Sequence, residues 1–317
     1  MTAPAVSCVI VSYNCADLLR VTLASLARQD VPGGMEIIAV DNASRDDSAA
    51  AAAEFAGVAV IPLEENVGFG AANNVGARRA RSEFLLFANP DVDAPPGVVA
   101  ALADFMSQRP EAAAAGPKVV DRRGELQRFC ARKAPRLINI LFLVSGIEET
   151  RWAGSPLAHR FYPRAFYEGG PAEADVLGGA FMMVRRSAFE AVGGFDEGYF
   201  LYSEDVDLSR RLGREGTLWY VPVGPVRHFT GGSRRDPEPL VAIESHRSAT
   251  RYAEVWWGRG AGRLVRSVSG ASLWARRMLF AALAPIWKRA RTRARYYAEV
   301  VKGRAVPRSG TTGSIKE

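Results

Sequence analysis

Two aspartates in the first third of the chain have a spacing that suits a divalent cation. Asp91 and Asp93 lie two residues apart in the segment F-A-N-P-D-V-D, so in an extended backbone their carboxylates would point the same way. Mg²⁺ and Mn²⁺ prefer such oxygen ligands. The alternative is an ordinary acidic turn before a helix, because acidic turns are common. The pair therefore marks a candidate metal site.

A second acidic group could supply a general base. Glu204, Asp205 and Asp207 fall in the first turn of a predicted helix, where the positive end of the helix dipole stabilises carboxylates. Crowded carboxylates also raise the chance that one of them is poised as a base. A solvated helix start is the alternative, but the residues before it are mostly apolar or aromatic and indicate partial burial. They are Phe195, Tyr199, Phe200, Leu201 and Tyr202.

His228 is one of three histidines in the chain. It follows an apolar strand-like run and precedes Gly231-Gly232. Its imidazole could complete a metal sphere that is otherwise made of carboxylate and phosphate oxygens. A single histidine can equally be structural, and His159 and His246 suggest no role.

Two further segments suit a nucleotide. Asp41 ends a predicted strand, at the sheet edge where open α/β proteins bind ligands, and could accept from a base N–H or a ribose hydroxyl. Capping of the next helix is the alternative, a role that Asn42 or Ser44 could also fill. Glycines in residues 66–76 would allow a diphosphate to approach the backbone. Their spacing is not the dinucleotide fingerprint, and no lysine marks a P-loop.

Alternating strands and helices would position these residues. Short apolar runs predict strands at 6–13, 36–40, 58–62 and 83–88, and helices are predicted at 16–28, 44–55, 70–81 and 96–108. A strand-like run at 174–185 and helices at 187–192 and 204–214 follow. Residues 122–172 lack a clear period and are expected to form a long insertion or lid. This order predicts a parallel sheet covered by helices.

The positive charge is concentrated near the end of the chain. The formal net charge is +7, yet Arg259 to Arg308 alone contain thirteen Arg or Lys and one acid, Glu299. This argues against a nucleic-acid groove across the fold and favours an anchor for anionic lipid or another polyanion. The apolar run 278–287 is shorter than the roughly 20 residues that span a bilayer. It is typical of an amphipathic segment at the membrane surface, with packing on the catalytic domain as the alternative.

Cysteine usage and the amino-terminal residues favour a cytoplasmic protein. Cys8, Cys15 and Cys130 are odd in number and form no C-x-x-C pair, so neither a disulfide framework nor a cysteine zinc site is expected. The first residues run into a predicted strand without the features of a secretory signal.

In this order, the segments resemble the family-2 glycosyltransferases of the GT-A fold, particularly the bacterial rhamnosyltransferase-like branch, over about residues 6–233. The resemblance implies a Rossmann-like α/β fold with a mixed, mostly parallel sheet. The catalytic domain would be 1–258, with a donor half to about 118 and an acceptor half from about 119. Residues 259–317 would form a helical, membrane-associated tail.

The resemblance also implies roles for the candidate residues. Asp205 would be the general base of an inverting single displacement, paired with Glu204. Asp91 would bind Mg²⁺ or Mn²⁺ and His228 would contact it. Asn89 stands where the family's D-x-D motif has its first acid, which leaves Asp93 as a secondary metal candidate.

Substrate-binding roles follow from the same resemblance. The donor would be bound by Ser12, Tyr13, Asn14, Asp41, Asn42, Asn66, Gly68, Gly70, Asn73, Asn89 and Asp91. The acceptor side would include Gly178, Gly179 and Tyr202.

The branch suggests dTDP-rhamnose as donor, with UDP-linked hexoses or galactofuranose as further candidates. The acceptor would be a lipid-linked or cell-surface glycan at the inner face of the cell membrane. Three alternatives remain: a noncatalytic sugar-nucleotide-binding scaffold, a nucleotidyltransferase, and a nucleic-acid-binding protein. The segment after the first strand lacks the basic, glycine-rich loop of nucleotidyltransferases.

Overall fold

The computed structural model of the protein describes residues 4–146, 161–229 and 239–305. Within these residues the strands form one nine-stranded sheet and one two-stranded sheet. The strands are β1 (Val6–Ser12), β2 (Met35–Asp41), β3 (Val58–Pro62), β4 (Phe84–Ala88), β5 (Val92–Asp93), β6 (Ala112–Val120), β7 (Ala131–Arg132), β8 (Ala172–Glu173), β9 (Val176–Leu177), β10 (Phe181–Arg185) and β11 (Thr217–His228). The helices are α1 (Ala16–Leu26), α2 (Ser48–Ala53), α3 (Phe69–Arg79), α4 (Val98–Ser107), α5 (Leu137–Ser145), α6 (Arg164–Glu168), α7 (Arg186–Ala191), α8 (Glu204–Leu212), α9 (Pro239–Leu283) and α10 (Lys288–Ala305).

The large sheet begins with four parallel strands in the order β3-β2-β1-β4. β10 then pairs antiparallel with both β4 and β6, and β11 pairs parallel with β6. The short β5 and β8 pair antiparallel with β11. β7 and β9 form the separate two-stranded sheet. The predicted α/β architecture, with a mixed and mostly parallel sheet, is confirmed.

The first strand shows why the sheet is covered on both faces. All seven residues of β1 are buried. Because successive side chains of a strand point to opposite faces, Cys8 and Ile10 enter one core cluster with Leu19 of α1. Val9 and Val11 enter the other cluster. Continuous apolar runs are typical of parallel strands that are buried on both faces.

The sequence patterns do not identify β6 as a strand. It contains four consecutive alanines, Ala112 to Ala115, which are 0–2% exposed. Alanine is depleted in strands and enriched in helices, so local propensity is misleading here. The small side chains are accommodated because β6 lies between β10 and β11 in the sheet.

Two other predictions require adjustment. The helix predicted at 44–55 begins only at Ser48, because Asp46 accepts hydrogen bonds from the Ser48 backbone N–H and hydroxyl and from the Ala16 N–H. The segment 122–172 is not wholly irregular, since it contains β7, α5, α6 and a 3₁₀ turn at Arg128–Cys130. Residues 147–160 of that segment lie outside the described residues.

The chain divides into two compact units. The first contains the large sheet, and the second combines α5 with α9 and α10. Ile243, Leu273 and Val300 form a small core in the second unit. Gly258, with φ of 86°, interrupts the helical backbone of α9. This break coincides with the predicted boundary at 258, whereas the second unit comprises residues 136–158 and 236–317. The boundary between catalytic domain and tail stays a prediction.

None of the helices formed by the described residues has both the length and the apolarity needed to cross a membrane.

Candidate active site

Asp91, Asn89 and His228 meet where β5 pairs with the end of β11. This pairing sets His228 opposite Val92, and the backbone N–H of Phe229 donates to the Asp91 carbonyl at 2.8 Å. The His228 Nε2 atom lies 3.2 Å from Asp91 Oδ1 and 3.1 Å from Asn89 Nδ2. Two segments far apart in sequence are therefore held together by strand pairing.

Gln127 determines which ring nitrogen of His228 carries the proton. Its Nε2 donates to the His228 carbonyl at 3.0 Å, which fixes the orientation of the amide. Its Oε1 lies 2.9 Å from His228 Nδ1. An amide oxygen only accepts, so Nδ1 is the N–H donor and the lone pair of neutral His228 is on Nε2, facing Asp91. We call Asn89, Asp91, Gln127 and His228 the His228 cluster.

The His228 cluster fits a divalent cation. It offers a carboxylate oxygen and an imidazole nitrogen whose tautomer is set by an outer partner, the usual arrangement of a metal-binding histidine. Asp93 does not join it, since its carboxylate lies 3.5 Å from the Arg28 guanidinium. In the described part of the chain, no three His, Cys, Asp or Glu side chains form a metal-binding group. Asp91 and His228 would leave the remaining coordination positions to diphosphate and water oxygens.

The predicted nucleotide contacts around Asp41 form an ordered loop. Asp41 accepts from the Ser12 hydroxyl at 3.2 Å and from the Ser44 N–H at 3.1 Å. Asn14 accepts from the Arg45 N–H at 2.7 Å and donates its own N–H to Ser44 at 3.0 Å. Because α2 begins four residues after Ser44, Asp41 orders the loop and does not cap the helix. Tyr13 is 41% exposed beside this loop.

The glycine-rich segment is held by side-chain amides. Asn42 donates to Asn66 at 2.9 Å and accepts from the Val67 N–H at 3.0 Å. Gly68 has φ of 93°, and a side chain there would overlap Phe200. Glycine at this position therefore allows the backbone to pass close to Phe200.

Two of the predicted donor contacts lie inside the fold. Gly70 packs against Phe195, and Asn73 is fully buried and donates to the Phe69 carbonyl of its own helix. Their positions favour a packing role over direct contact with a donor.

The acidic residues at the start of α8 have three different environments. Asp207 is 1% exposed and accepts from Arg211 at 2.8 Å. The Asp205 side chain is 18% exposed, and its carboxylate accepts from the Val206 N–H at 2.8 Å, from the Gly179 N–H at 3.3 Å and from Arg132 at 3.2 Å. Glu204 is buried, and burial together with the neighbouring Asp205 raises its pKa to about 8. We call Arg132, Gly179, Glu204 and Asp205 the Glu204 cluster.

The acceptor-side predictions lie next to the Glu204 cluster. A side chain on Gly179 would come within 3.3 Å of the Asp205 Cβ, and one on Gly178 would meet the Phe129 backbone. Tyr202 is 42% exposed and immediately precedes this helix start. Glycine at 179 therefore allows the connection between β9 and β10 to approach Asp205 closely, and glycine at 178 allows it to approach the Phe129 backbone.

A short connection links the two clusters. The Asn89 N–H donates to the Ala180 carbonyl at 2.9 Å, while Gly179 donates to Asp205. β4 and β10 continue this pairing, with Ala88 opposite Phe181. The structure thus brings the predicted metal and base residues to one end of the sheet.

Backbone strain is concentrated in the loop around Asp41 and in the residues just before α8. Across the described residues, the non-glycine residues with positive φ are Asn14, Ala43, Tyr202 and Ser203. The first two lie in the Asp41 loop and the others immediately precede α8. Such conformations cost energy and persist where surrounding contacts enforce them, often at functional sites.

Sequence reasoning missed Gln127 and Arg132. Each is a single polar residue in a segment without periodicity, so no spacing pattern distinguishes it. Gly231 and Gly232, which follow His228 in the sequence, lie outside the described residues.

Comparison with known proteins places the site in context. The model of the family described as "Glycosyl transferase family 2" matches residues 7–193. The N-acetylglucosaminyl-diphospho-decaprenol L-rhamnosyltransferase of Mycobacterium tuberculosis is 34% identical over 273 residues, covering 78% of this chain and 85% of that protein. Rhamnosyltransferase WbbL of Escherichia coli is 30% identical over 177 residues, covering 53% of this chain and 63% of that protein.

A solved structure extends the comparison to the fold. The mannosyltransferase PcManGT from Pyrobaculum calidifontis, in complex with GDP-Man and Mn²⁺, superimposes with a TM-score of 0.56 at 15% identity. The match covers 95% of this chain and 86% of that one. At this identity the likeness concerns the fold alone.

Proposed function

The chain belongs to glycosyl transferase family 2 and is a glycosyltransferase of the GT-A fold, as its sequence predicts, and we propose that it transfers L-rhamnose from dTDP-rhamnose to a lipid-linked glycan. The observation that carries this proposal is the extent of the likeness to the mycobacterial rhamnosyltransferase, whose name specifies both the sugar and a decaprenol-linked acceptor. The geometry of the two clusters supports a catalytically competent protein over a noncatalytic scaffold.

Asp205 is the proposed general base of an inverting displacement. The acceptor oxygen attacks the anomeric carbon from the face opposite the diphosphate, the bond from that carbon to the diphosphate oxygen breaks, and the hydroxyl proton passes to the Asp205 carboxylate. Partial exposure leaves Asp205 accessible, while Gly179, Val206 and Arg132 fix its orientation. Arg132 also places a positive charge beside the group that must be ionised to act as a base.

A divalent cation, Mg²⁺ or Mn²⁺, is proposed to bind at Asp91 and His228. When bound there, it would neutralise charge on the departing diphosphate. Gln127 and Asn89 hold the imidazole for this role. The Mn²⁺ in the structure of the archaeal mannosyltransferase supports a cation in this fold.

The second unit is proposed to bind the inner face of the cell membrane. Every exposed residue between 271 and 282 is apolar, including Trp274, Met278 and Leu279. Ile286, at 83% exposed, and Trp287 extend this apolar surface. Exposed cations follow at once in α10, namely Lys288, Arg289, Arg291, Arg293 and Arg295. An apolar face bordered by cations matches an interface that contains anionic lipid.

Donor identity is tested by calorimetry with dTDP-rhamnose, UDP-glucose, UDP-galactofuranose and UDP-N-acetylglucosamine, each with Mn²⁺ and with EDTA. We expect dTDP-rhamnose to bind most tightly and only with the cation. Tighter binding of a UDP-sugar would identify that sugar nucleotide as the donor in place of dTDP-rhamnose. Binding of none of the four would favour the noncatalytic scaffold.

Membrane binding is tested by flotation with vesicles of phosphatidylcholine, with and without phosphatidylglycerol, at one salt concentration. We expect binding to the anionic vesicles that is lost in Trp274→Ala/Ile286→Ala. Stronger binding to duplex DNA at the same salt would support the nucleic-acid alternative, and self-association without vesicle binding would identify the apolar face as a dimer contact.

A further inference from the structure

Glu204 occupies an enclosed position between α8 and α3. The residue is 7% exposed, and its Cβ lies 3.7 Å from where a side chain on Gly70 would begin. A side chain on Gly70 would also come within 3.1 Å of the Phe195 Cβ. Within the described chain, Glu204 Oε2 is buried and has no hydrogen-bond partner. A negative charge on this carboxyl would therefore have neither water nor a donor at that oxygen to stabilise it.

The donors in this region are directed to the neighbouring residue. Asp205 receives the Arg132 guanidinium and the Gly179 and Val206 N–H groups. The Arg132 guanidinium thus faces the carboxyl groups of both Glu204 and Asp205, and it contacts Asp205 directly. Asn73, one turn beyond Gly70 on α3, has a buried Oδ1 without a donor as well. The two unmatched oxygens, Glu204 Oε2 and Asn73 Oδ1, are both acceptors, and the donor that acts on the Glu204 carboxyl is its own backbone N–H.

We propose that Glu204 remains protonated in the working enzyme, so that the Glu204–Asp205 pair carries one negative charge, located on Asp205. Glu204 is then a positioning residue. Its neutral carboxyl fills the space beside Gly70 without competing for Arg132 or repelling the Asp205 carboxylate, which takes the proton of the acceptor hydroxyl. This inference rests on the proposed role of Asp205 as the base.

The electrostatics agree with this assignment. Burial is the largest cause that raises the pKa of Glu204 and the charge of Asp205 is the second, while a hydrogen bond from its own backbone N–H and the charge of Arg132 lower it by less. The resulting pKa of about 8 leaves Glu204 mostly neutral at pH 7. The charged groups facing Glu204 are Asp205 from its own helix and Arg132 from β7, whereas Gly70 of α3 and Phe195 contribute no charge.

The first test compares Glu204→Gln with Glu204→Ala in the full-length enzyme. Glutamine is a neutral side chain of nearly the same size and shape, whereas alanine leaves the space beside Gly70 unfilled at the start of α8. We expect Glu204→Ala to lower kcat by on the order of 10- to 100-fold, because a small displacement of a catalytic group is costly. Glu204→Gln should restore most of that loss. We also expect wild-type activity to decline above about pH 8, where Glu204 would ionise, and the activity of Glu204→Gln to show no such decline.

The second test needs no donor and measures the free energy of unfolding against pH. A carboxyl whose pKa is about 8 when folded and near 4.5 when unfolded keeps a proton that the unfolded chain releases. Its contribution to stability is therefore lost as pH rises from 4.5 towards 8. We expect Glu204→Gln to flatten this slope, and Glu83→Gln, at an exposed ion pair with Arg185, to leave it unchanged.

Two outcomes would overturn the inference. One is loss of transfer by Glu204→Gln as complete as that caused by Asp205→Asn, with donor binding intact, which would make Glu204 an ionised participant. The other is an unchanged pH slope of unfolding in Glu204→Gln. Failure of the proposed function would instead appear as absent transfer in the wild type, with the slope still flattened by the substitution.

Discussion

Gln127 and Asn89 hold the His228 imidazole through hydrogen bonds at its two ring nitrogens, whereas in the Glu204 cluster two buried polar atoms have no partner in the described residues. In the first cluster, Gln127 contacts His228 through both its amide nitrogen and its oxygen, and Nε2 faces Asn89 and Asp91. In the second, Glu204 Oε2 and Arg132 Nε are unmatched.

This difference corresponds to two kinds of chemistry. A metal ligand must be held in one orientation before the ion arrives, so a satisfied outer shell is an advantage. In the Glu204 cluster the unmatched oxygen belongs to Glu204, which keeps its proton in our proposal, while Arg132, Gly179 and Val206 all donate to the proposed base Asp205. The proposed roles, cation binding at His228 and proton transfer at Asp205, can be distinguished by single substitutions.

The largest effect is expected from Asp205→Asn. Removing the proposed base should lower kcat by about 10²- to 10⁴-fold, because asparagine cannot take the acceptor proton. Donor affinity should change little, since the cation that binds the donor diphosphate is proposed to lie at Asp91 and His228 and not at Asp205. Turnover and calorimetric donor binding measured on the same preparation check this. A parallel loss of both would assign Asp205 to donor binding and erase the distinction between the clusters.

Asp91→Asn should weaken donor binding as well as transfer, unlike Asp205→Asn. We expect cation-dependent donor binding to disappear and transfer to fall by about 10²- to 10³-fold, because the ion loses its carboxylate ligand. Asp93→Asn is the matched control, two residues away and paired with Arg28, and should retain cation-dependent binding. Equal losses in the two variants would restore Asp93 as a metal ligand.

The sequence identified the acidic residues and the histidine of the two clusters as candidates, but it did not identify Gln127 and Arg132, which hydrogen-bond to them. Asp91, Asp205 and His228 could be selected because they lie in segments whose order resembles a known family. Gln127 and Arg132 could not, since each acquires its role only when the chain places it beside a distant residue. Arg132 reaches Asp205 because β7 pairs with β9, two strands of two residues each.

The fold was predicted where side-chain pattern and strand burial agree. β1 to β4 are apolar runs bounded by polar turns, and the structure has strands at all four positions. β6 was missed because its alanines favour a helix locally, and only pairing with β10 and β11 makes it a strand. Tertiary pairing overrode local propensity at this position.

A moderate effect is expected from Gln127→Ala. Without the amide oxygen, His228 is free to rotate or to adopt the other tautomer, which should weaken Mn²⁺ affinity by about 10- to 100-fold. Mn²⁺ titration of donor binding measures this directly, and Gln127→Glu, which keeps an acceptor, should lose less. Unchanged affinity in Gln127→Ala would show that Asn89 and Asp91 orient the imidazole alone.

The smallest effect on transfer is expected from Asp207→Asn, in the same helical turn as Glu204 and Asp205. Asp207 is buried against Arg211, which also donates to the Val192 and Gly194 carbonyls, so its role is to tie α8 to the preceding turn. Losing a hydrogen bond between charged groups should cost about 1–3 kcal/mol of unfolding free energy, measured by urea denaturation. Transfer by the folded variant should stay within about threefold of the wild type, since less than 1 kcal/mol of transition-state stabilisation would be lost. A large loss of kcat would instead mean that all three acids of this turn act as one catalytic unit, and that Glu204 and Asp205 cannot be considered without Asp207.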